Sequence, residues 1–172
     1  AGNTAVGYRA GMTATGGANT LLGYDAGRLL LGATHNTLVG YGAGDALAAS
    51  EERNIAIGSN AMADLNEGNS QVDDNIAIGY GALTASSLHN SGNAAVGNIA
   101  IGSYALDGTG TAAHTGTIAI GHQALTACTS GAGNVANGYQ SLNTITTGSR
   151  NIGIGYGVMN DTDDTFTDNT QA

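Results

Sequence analysis

Hydrophobic and polar positions alternate with a period of two in a short motif that recurs nine times between residues 3 and 158. The motif reads Asn, x, small residue, aliphatic residue, Gly, and often continues with Tyr, x and Ala. In the copy at 75–82, Ile76 and Ile78 point to one side and Ala77 to the other, which is the alternation of a β-strand. The motif therefore predicts nine short strands, one in each of nine repeats. The copies are NTAVGYRA (3–10), NTLLGYDA (19–26), NTLVGYGA (36–43), NIAIGSNA (54–61), NIAIGYGA (75–82), NIAIGSYA (98–105), TIAIGHQA (117–124), NVANGYQS (134–141) and NIGIGYGV (151–158).

A glycine follows the strand in every copy. It predicts a sharp bend or a close approach of two backbones, because glycine adopts positive φ freely. Successive motif glycines are separated by 16 to 23 residues, and the longest step contains an additional half motif, NAAVG at 93–97, where a strand could be added or the register could shift. The predicted structural-turn glycines are Gly7, Gly23, Gly40, Gly58, Gly79, Gly102, Gly121, Gly138 and Gly155.

The segments between the motifs are rich in Gly, Thr, Ser, Asn and Asp, which form turns and carry no helical periodicity. Residues 28–31 and 45–53 are two segments that could each form one or two helical turns. Residues 1–158 are predicted to form one all-β domain, a parallel β-solenoid of nine short coils with loops that project sideways. Residues 159–172 are predicted to form an acidic polar tail or a linker to a next segment.

The aliphatic residue three positions after the motif Asn is predicted to form the core of the solenoid. Two other positions change together: Thr after the motif Asn accompanies Gly after the motif Ala in the first three copies, whereas mainly Ile accompanies Leu or Met later. This correlation predicts that both positions contribute to one core layer. The predicted core residues are Val6, Leu22, Val39, Ile57, Ile78, Ile101, Ile120 and Ile154.

The eighth copy has Asn137 where the other copies have an aliphatic residue. A buried amide needs hydrogen-bond partners. One hypothesis is therefore an axial polar site, at which copies of Asn137 from several chains bind one another, water or an ion. The alternative is a degenerate coil that turns this side chain outward.

Large apolar side chains are scarce, since the chain has 29 Gly among 172 residues, one Phe and no Trp. Ordering a coil of about 18 residues costs roughly 18–36 kcal/mol of backbone entropy, whereas each buried aliphatic side chain returns about 1.5–3 kcal/mol. A single coil cannot fold alone, so we expect coils to stack on one another and chains to associate. No number of chains follows from this comparison.

The charge of the chain limits its partners. Its net charge is −9, with four Arg and no Lys, so nucleic acid is repelled and is not an expected partner. No apolar run has the length of a membrane span, so we expect no membrane insertion in this segment, which reads as a piece of a longer protein. The single cysteine, Cys128, cannot form a disulfide within the chain.

The sequences NIAIGYGA and NTAVGYRAG resemble the head repeat of trimeric autotransporter adhesins, in which an Asn-x-Val/Ile-Ala-Ile-Gly strand recurs in a left-handed parallel β-roll. The likeness extends over residues 3–158. Variants with GYxAG or GYxAL and longer polar loops also resemble repeats in bacteriophage tail fibres and large bacterial surface proteins. The resemblance implies a homotrimeric fibre segment with left-handed β-roll-like coils, located extracellularly on a virion or a cell surface. Adhesin heads keep a short, constant repeat, so the uneven steps of this chain favour a phage fibre or a related filament.

Candidate chemical sites are few, and no catalytic, cofactor-binding or metal-ligating residue is predicted. The glycine-rich stretches at 40–44 and 153–157 imitate phosphate-binding loops but lack a following helix and a P-loop Lys. The histidines lie too far apart in the sequence for one local metal site, and the acidic tail lacks the Gly and terminal Glu of an EF-hand. The histidines are His35, His89, His114 and His122, and the tail carboxylates are Asp161, Asp163, Asp164 and Asp168.

A tyrosine follows the motif glycine in six copies and predicts a column of rings along the solenoid. Such rings could stack on sugars and are candidate glycan contacts, although packing of each ring against the next coil explains them equally well. The column comprises Tyr8, Tyr24, Tyr41, Tyr80, Tyr139 and Tyr156, and is interrupted by Ser59, Ser103 and His122.

The predicted function is non-enzymatic: a structural and adhesive segment of an extracellular trimeric fibre that displays loops for attachment to a host or surface, through a cell-surface glycan or protein. One alternative is a polysaccharide-binding or polysaccharide-degrading tailspike, in which Asp64, Glu67, Asp73 and Asp74 combine with a neighbouring chain. The other is an ice-binding, Thr-rich solenoid. It requires Thr-x-Thr at one fixed repeat position, whereas the Thr-x-Thr pairs here fall outside the motif.

Overall fold

The structure is a computed structural model that describes residues 2–47, 51–63, 65, 71–84, 94–108 and 114–160. Over these ranges it is all-β, with parallel strands stacked as a β-solenoid. The described residues form no helix, so the suggestion of helical turns at 28–31 is wrong, as it is for the described part of 45–53. These segments contain hydrogen-bonded turns instead, such as the one in which the Leu30 amide donates to the Gly27 carbonyl.

The main sheet contains nine parallel strands, each paired with the next in chain order. Equivalent motif positions face each other in every pair, so the steps of 16 to 23 residues leave the register unchanged. The strands of the main sheet are β1 (Thr4–Val6), β2 (Thr20–Leu22), β3 (Thr37–Val39), β4 (Ile55–Ile57), β6 (Ile76–Ile78), β8 (Ile99–Ile101), β10 (Ile118–Ile120), β11 (Val135–Asn137) and β12 (Ile152–Ile154).

The central coils also contribute to a second sheet of three parallel strands, each of which lies just before the motif of its coil. These strands are β5 (Val72–Asp73), β7 (Ala95–Val96) and β9 (His114–Thr115). The half motif at 93–97 supplies β7, so it adds no strand to the main sheet and shifts no register. The residue between the two strands of a coil has positive φ, for example 60° at Asp74 and 67° at Gly97. This turn forms the corner between the two sheets.

The middle residue of each motif strand, which is mostly alanine, faces the interior. The predicted core is therefore wrong for the chain itself, because the aliphatic residues flanking that alanine face outward; Val6 is 57% exposed and Ile154 is 68% exposed. The period-two pattern divides the side chains of a strand between two faces, but it does not identify which face is buried. The residues placed wrongly in the core are Val6, Leu22, Val39, Ile57, Ile78, Ile101, Ile120 and Ile154, whereas the buried middle residues are Leu21, Leu38, Ala56, Ala77, Ala100, Ala119 and Ala136.

Asn137 lies in the same outward row and is exposed. It is therefore not a buried amide within the single chain, although it keeps the register of the aliphatic residues in its row. The axial polar site requires several chains and stays a prediction. The buried amides belong to the asparagines that begin the motif.

The turn after each strand supplies the large side chains of the core. The residue after the motif alanine has a left-handed backbone, with φ of 53° at Leu83 and 52° at Leu142, yet both side chains are fully buried. An L-residue in this conformation costs roughly 1–2 kcal/mol, whereas burying a leucine returns about 1.5–3 kcal/mol. Burial therefore offsets the strain. Equivalent positions are filled by Met62, Leu106, Leu125 and Met159, and none of them is β-branched.

The size of this turn residue is complementary to the size of the middle strand residue. Coils with Leu21 or Leu38 in the strand have glycine in the turn, and a Cβ added at Gly44 would lie 2.8 Å from a methyl carbon of Leu38. From the fourth coil to the eighth, alanine in the strand is accompanied by Leu or Met in the turn, whereas the first coil combines Ala5 with Gly11. The two correlated core positions are thus the turn residue and the strand centre, and not the residue directly after the motif Asn.

A ladder of buried asparagines connects the coils at the corner where each motif begins. The side-chain amide of Asn36 donates to Asn19 Oδ1 at 3.2 Å and to the Glu51 carbonyl of the following coil at 2.9 Å. Its Oδ1 accepts from the backbone and side-chain amides of Asn54 at 2.9 and 3.1 Å. Both donors and both acceptor sites of the amide are therefore used. The ladder consists of Asn3, Asn19, Asn36, Asn54, Asn75 and Asn98, and of Asn134 and Asn151 beyond a break.

The break in the asparagine ladder is at Thr117. Its backbone amide donates to Asn98 Oδ1 at 3.0 Å, but its buried Oγ1 has no hydrogen-bond partner among the described residues. The hydroxyl cannot reproduce the amide's two donors, so the next asparagine, Asn134, begins the ladder again. An unsatisfied buried polar group costs roughly 1–3 kcal/mol.

We predict that Thr117→Asn stabilises the chain by about 1–3 kcal/mol, because the new amide would make the missing hydrogen bonds to Asn98 and Asn134. Thermal and chemical unfolding at fixed protein concentration measure the gain. Thr117→Val is the control, since it removes the unpartnered hydroxyl without rebuilding the ladder and should stabilise less. Equal or lower stability of Thr117→Asn relative to Thr117→Val would contradict the role given to the ladder.

We also predict that strand centre and turn residue compensate for each other. Leu38→Ala should destabilise by about 2–5 kcal/mol through a cavity, and Gly44→Met should destabilise by crowding Leu38 and Leu47. The double variant reproduces the Ala56 and Met62 pair of the next coil and should be more stable than the sum of the single effects implies. A double-mutant cycle from urea unfolding gives the coupling. Strictly additive effects would mean that the two positions do not share one core layer.

Candidate binding surfaces of the solenoid

The glycine-rich stretches at 40–44 and 153–157 have their backbone amides committed to neighbouring coils. Gly40 donates to Leu22 at 2.8 Å, and Gly42 donates to Tyr24 at 2.8 Å. The motif glycines have φ between 130° and 144°, and in the first eight copies an added Cβ would lie within 2.6 Å of the carbonyl oxygen of the next motif glycine. These glycines therefore permit close stacking of coils, and their amides are not available to a phosphate.

The outward side of the main sheet carries two parallel rows of aliphatic side chains, which we call the aliphatic face. The row at the end of the strands is Val6, Leu22, Val39, Ile57, Ile78, Ile101, Ile120 and Ile154, with Asn137 as its polar member. The row at the start of the strands is Thr4, Thr20 and Thr37, followed by Ile55, Ile76, Ile99, Ile118, Val135 and Ile152. The threonine part of this row spans three coils before isoleucine replaces it, so the main sheet does not present the long threonine array that an ice-binding solenoid requires.

The tyrosines form two stacks, one near each end of the solenoid. Tyr24 lies between Tyr8 and Tyr41, with ring centroids 5.2 and 5.1 Å apart and interplanar angles of 25° and 6°. Tyr139 lies between His122 and Tyr156 at 5.3 and 5.1 Å, with angles of 9° and 8°. The middle rings, Tyr24 and Tyr139, have both faces covered and present mainly their edges and hydroxyls to solvent, whereas each end ring has one face covered by its neighbour. The two stacks therefore suit packing between coils better than stacking of sugars.

Tyr80 is different, because the column has serine on both sides of it. Ser59 and Ser103 occupy the equivalent positions in the coils before and after, so no ring from the column covers either face of Tyr80. Its aromatic neighbour is Tyr104, one position later in the repeat, at 5.2 Å and an interplanar angle of 79°. Tyr80 is 49% exposed and Tyr104 is 37% exposed.

A cleft opens beside these two tyrosines, with a volume of about 270 Å³. Its hollow shape follows from two small residues, Gly81 and Ala63, in columns that carry larger side chains in other coils. A Cβ added at Gly81 would lie 3.2 Å from the Tyr104 ring, so the glycine lets that ring lie close to the backbone. We call this site the Tyr80 cleft; it is lined by Asp45, Asn60, Ala63, Tyr80, Gly81, Thr84, Tyr104 and Asp107.

Sequence reasoning identified Tyr80 but missed Tyr104, Asn60, Asp45 and Asp107. Tyr104 is one residue out of register with the tyrosine column, and the serine that it follows was treated only as an interruption. A hydrogen bond to Tyr80 and partial burial raise the pKa of the Tyr104 hydroxyl, so it remains protonated at neutral pH. The cleft thus combines aromatic rings with carboxylate, amide and hydroxyl groups.

Ion pairs join neighbouring coils at the edges of the solenoid. Arg9 donates from Nε to Asp25 at 2.7 Å, and Arg53 donates from Nε to Asp74 at 2.6 Å. These hydrogen bonds hold the pKa values of the Asp25 and Asp74 carboxyls below their usual range. Asp73, one of the proposed tailspike carboxylates, accepts from the Glu52 amide, and Asp74 is engaged by Arg53.

Three chemically reactive residue types are buried in the core. Burial raises the pKa of the Cys128 thiol to about 11, which keeps it in the unreactive protonated form. Burial lowers the pKa of the His114 imidazole. Glu51 is 1% exposed. Glu51 and His114 occupy the same repeat position, three residues before the start of a motif, and this inward-facing column was not recognised from the sequence.

The remaining candidate residues do not converge on one site. His35 contacts the Thr34 hydroxyl at 3.0 Å, His114 is buried, and His122 stacks on Tyr139. Within the described ranges, no three His, Cys, Asp or Glu side chains are placed to share a metal ion. His89, Asp64, Glu67 and the carboxylates of residues 161–172 lie outside the described residues.

Comparison with known proteins gives no relative: no protein-family model, no curated protein and no solved structure matches this chain. In the part of the chain that the structure describes, there is also no helix long and apolar enough to cross a membrane.

We predict that acid weakens the ion pairs between coils. A carboxyl whose pKa is depressed in the folded chain contributes stability above its unfolded pKa of about 3.9, and this contribution is lost as pH falls through the lower, folded pKa. The double variant Arg9→Gln/Arg53→Gln should therefore be less stable than the wild type at pH 6, and the difference should shrink below about pH 4. Urea unfolding across this range measures it, with the exposed Arg150→Gln as control. A difference that does not change with pH would contradict the assignment.

Proposed function

We propose that the chain is a structural and adhesive segment of an extracellular, homotrimeric fibre, in which a stack of coils sets the length of a rod and its surface residues bind a host or another surface. The aliphatic face carries this proposal. Soluble monomers rarely expose contiguous apolar patches larger than a few hundred Å². Here aliphatic residues continue from one end of the main sheet to the other, and Ile57 is 39% exposed in the single chain.

Association of identical chains covers such a face economically, because each copy presents the same straight row with the same spacing between coils. The small alanine side chains of the motif strands lie inside the chain. Contact between chains would therefore be made by the aliphatic face and not by these small residues. The number three, the left-handed β-roll-like geometry and the extracellular location come from the resemblance of the motif to adhesin heads and phage fibre repeats. They are part of the proposal.

Several features of the chain suit a rod that bears load. The main sheet and the motif glycines make hydrogen bonds or close contacts between each coil and the next, and the asparagine ladder adds side-chain hydrogen bonds on both sides of its break at Thr117. Extension along the axis would have to break many of these contacts together. The net charge of −9 favours the solubility of the chain.

A non-enzymatic role fits the spacing of the carboxylates in the cleft better than the tailspike alternative does. Asp45 and Asp107 occupy the same repeat position in coils three steps apart, which corresponds to about 14 Å at the usual separation of about 4.8 Å between strands. Glycoside hydrolases place their two carboxyl groups about 5–9.5 Å apart. This pair therefore suits binding, whereas hydrolysis would require a different pair.

The aliphatic face gives a direct test. Light scattering in native buffer should give three times the chain mass, and Ile78→Asp should dissociate the assembly, because it would place a charge inside an apolar contact. Thr115→Asp is the matched control, since Thr115 is exposed on the short sheet and its substitution should leave the mass unchanged. A wild-type chain that is a folded monomer with cooperative melting would refute the proposal.

A further inference from the structure

We propose that the Tyr80 cleft binds a short neutral oligosaccharide. The inference rests on the proposed adhesive function and names the ligand class and the place at which it binds. It also narrows the glycan contact predicted for the whole tyrosine column to one member of that column, Tyr80, together with residues outside it.

The tyrosines of the column differ in whether their ring faces are covered. The apolar face of a sugar ring packs against the electron-rich face of an aromatic ring, and not against its edge. Stacking within the column covers the faces of Tyr24 and Tyr139. The serines at 59 and 103 leave the faces of Tyr80 clear of the column, and Tyr104 meets Tyr80 at 79° and forms a second wall of the same hollow.

The lining of the cleft also supplies hydrogen-bonding groups. Ligand sites combine an apolar or aromatic surface with a few polar groups that fix orientation. The lining supplies carboxylates at Asp45 and Asp107, the amide of Asn60 and the hydroxyl of Thr84. These groups can accept from and donate to sugar hydroxyls. Their positions along four successive coils match an extended chain of sugars better than a single compact molecule.

The charge of the residues that line the cleft limits the charge of its ligand. Arg28 pairs with Asp45 at 3.4 Å from outside the cleft, and the residues that line the cleft include no arginine. Two carboxylates in a chain of net charge −9 disfavour a ligand that is itself acidic. The cleft therefore suits neutral sugars better than uronic or sialic acids.

The experiment uses the assembled protein and measures binding of cellotriose, maltotriose and mannotriose by calorimetry, with trigalacturonic acid as the acidic comparison. At least one neutral trisaccharide should bind. Ser59→Tyr should weaken binding at least about tenfold, equivalent to about 1.4 kcal/mol, because the new ring would join the Tyr41 stack to Tyr80 and cover one face of Tyr80. Tyr104→Ala should have an effect of similar size through loss of the second wall.

The matched control is His122→Tyr, which adds a tyrosine to the column in the coil after the four that line the cleft and should leave binding unchanged. Melting curves of each variant show that it is folded, and Ser59→Tyr is expected to fold because it repeats a stack already present at Tyr24 and Tyr41. The assignment is overturned if no neutral trisaccharide binds at millimolar concentration, if Ser59→Tyr and Tyr104→Ala bind as the wild type does, or if the acidic trisaccharide binds equally well. A trimer that binds no sugar would overturn this inference alone, whereas a folded monomer would refute the proposed fibre.

Discussion

The structure depends on the satisfaction of buried polar groups at one corner of every coil. At the corner that precedes the motif strand, the backbone changes direction and its carbonyl and amide groups cannot all pair within a sheet. The motif asparagine solves this problem because it is the one short side chain with two donors and two acceptor sites on the same planar group. Asp would lack the donors and Ser would lack one of them. A solenoid with so little apolar side-chain volume could not tolerate unpaired groups of this kind in every coil.

The same economy explains the composition of the interior. Two walls of the coil approach closely, so a large residue on one wall requires a small residue on the other, as Leu38 with Gly44 and Ala77 with Leu83 show. Leucine and methionine fill the turn position despite its positive φ, since their branching, where present, begins beyond Cβ. A β-branched residue would be strained there. The left-handed turn thus restricts both the size and the shape of the core residues.

Most of the fold could be predicted from the repeated motif. Alternation, the invariant glycine and the polar spacers led to short parallel strands in a solenoid, and the structure confirms this architecture and the all-β class. The orientation of the strands could not be predicted in the same way. Ile76, Ala77 and Ile78 alternate equally well with either side inside, and the usual preference for burying isoleucine gave the wrong choice. The missing information was the large side chain contributed by Leu83 from a turn, which becomes visible only when its left-handed backbone is known.

The candidate site was less predictable than the fold, because it depends on where the repeat is imperfect. A perfect solenoid presents the same side chains at every level, so its surface offers rows and no pocket. Serine at two positions of the tyrosine column, a tyrosine displaced by one residue and a glycine beneath it turn one such row into a cleft. Each change is small, and none of them alters the main-sheet register or the asparagine ladder. Most hydrogen bonds that hold the coils together are made by the motif asparagines and by backbone groups, which leaves the side chains just after the glycine free to differ from coil to coil. A repeat scaffold of this kind can therefore vary its recognition surface at single positions without a large change in the stability of the rod.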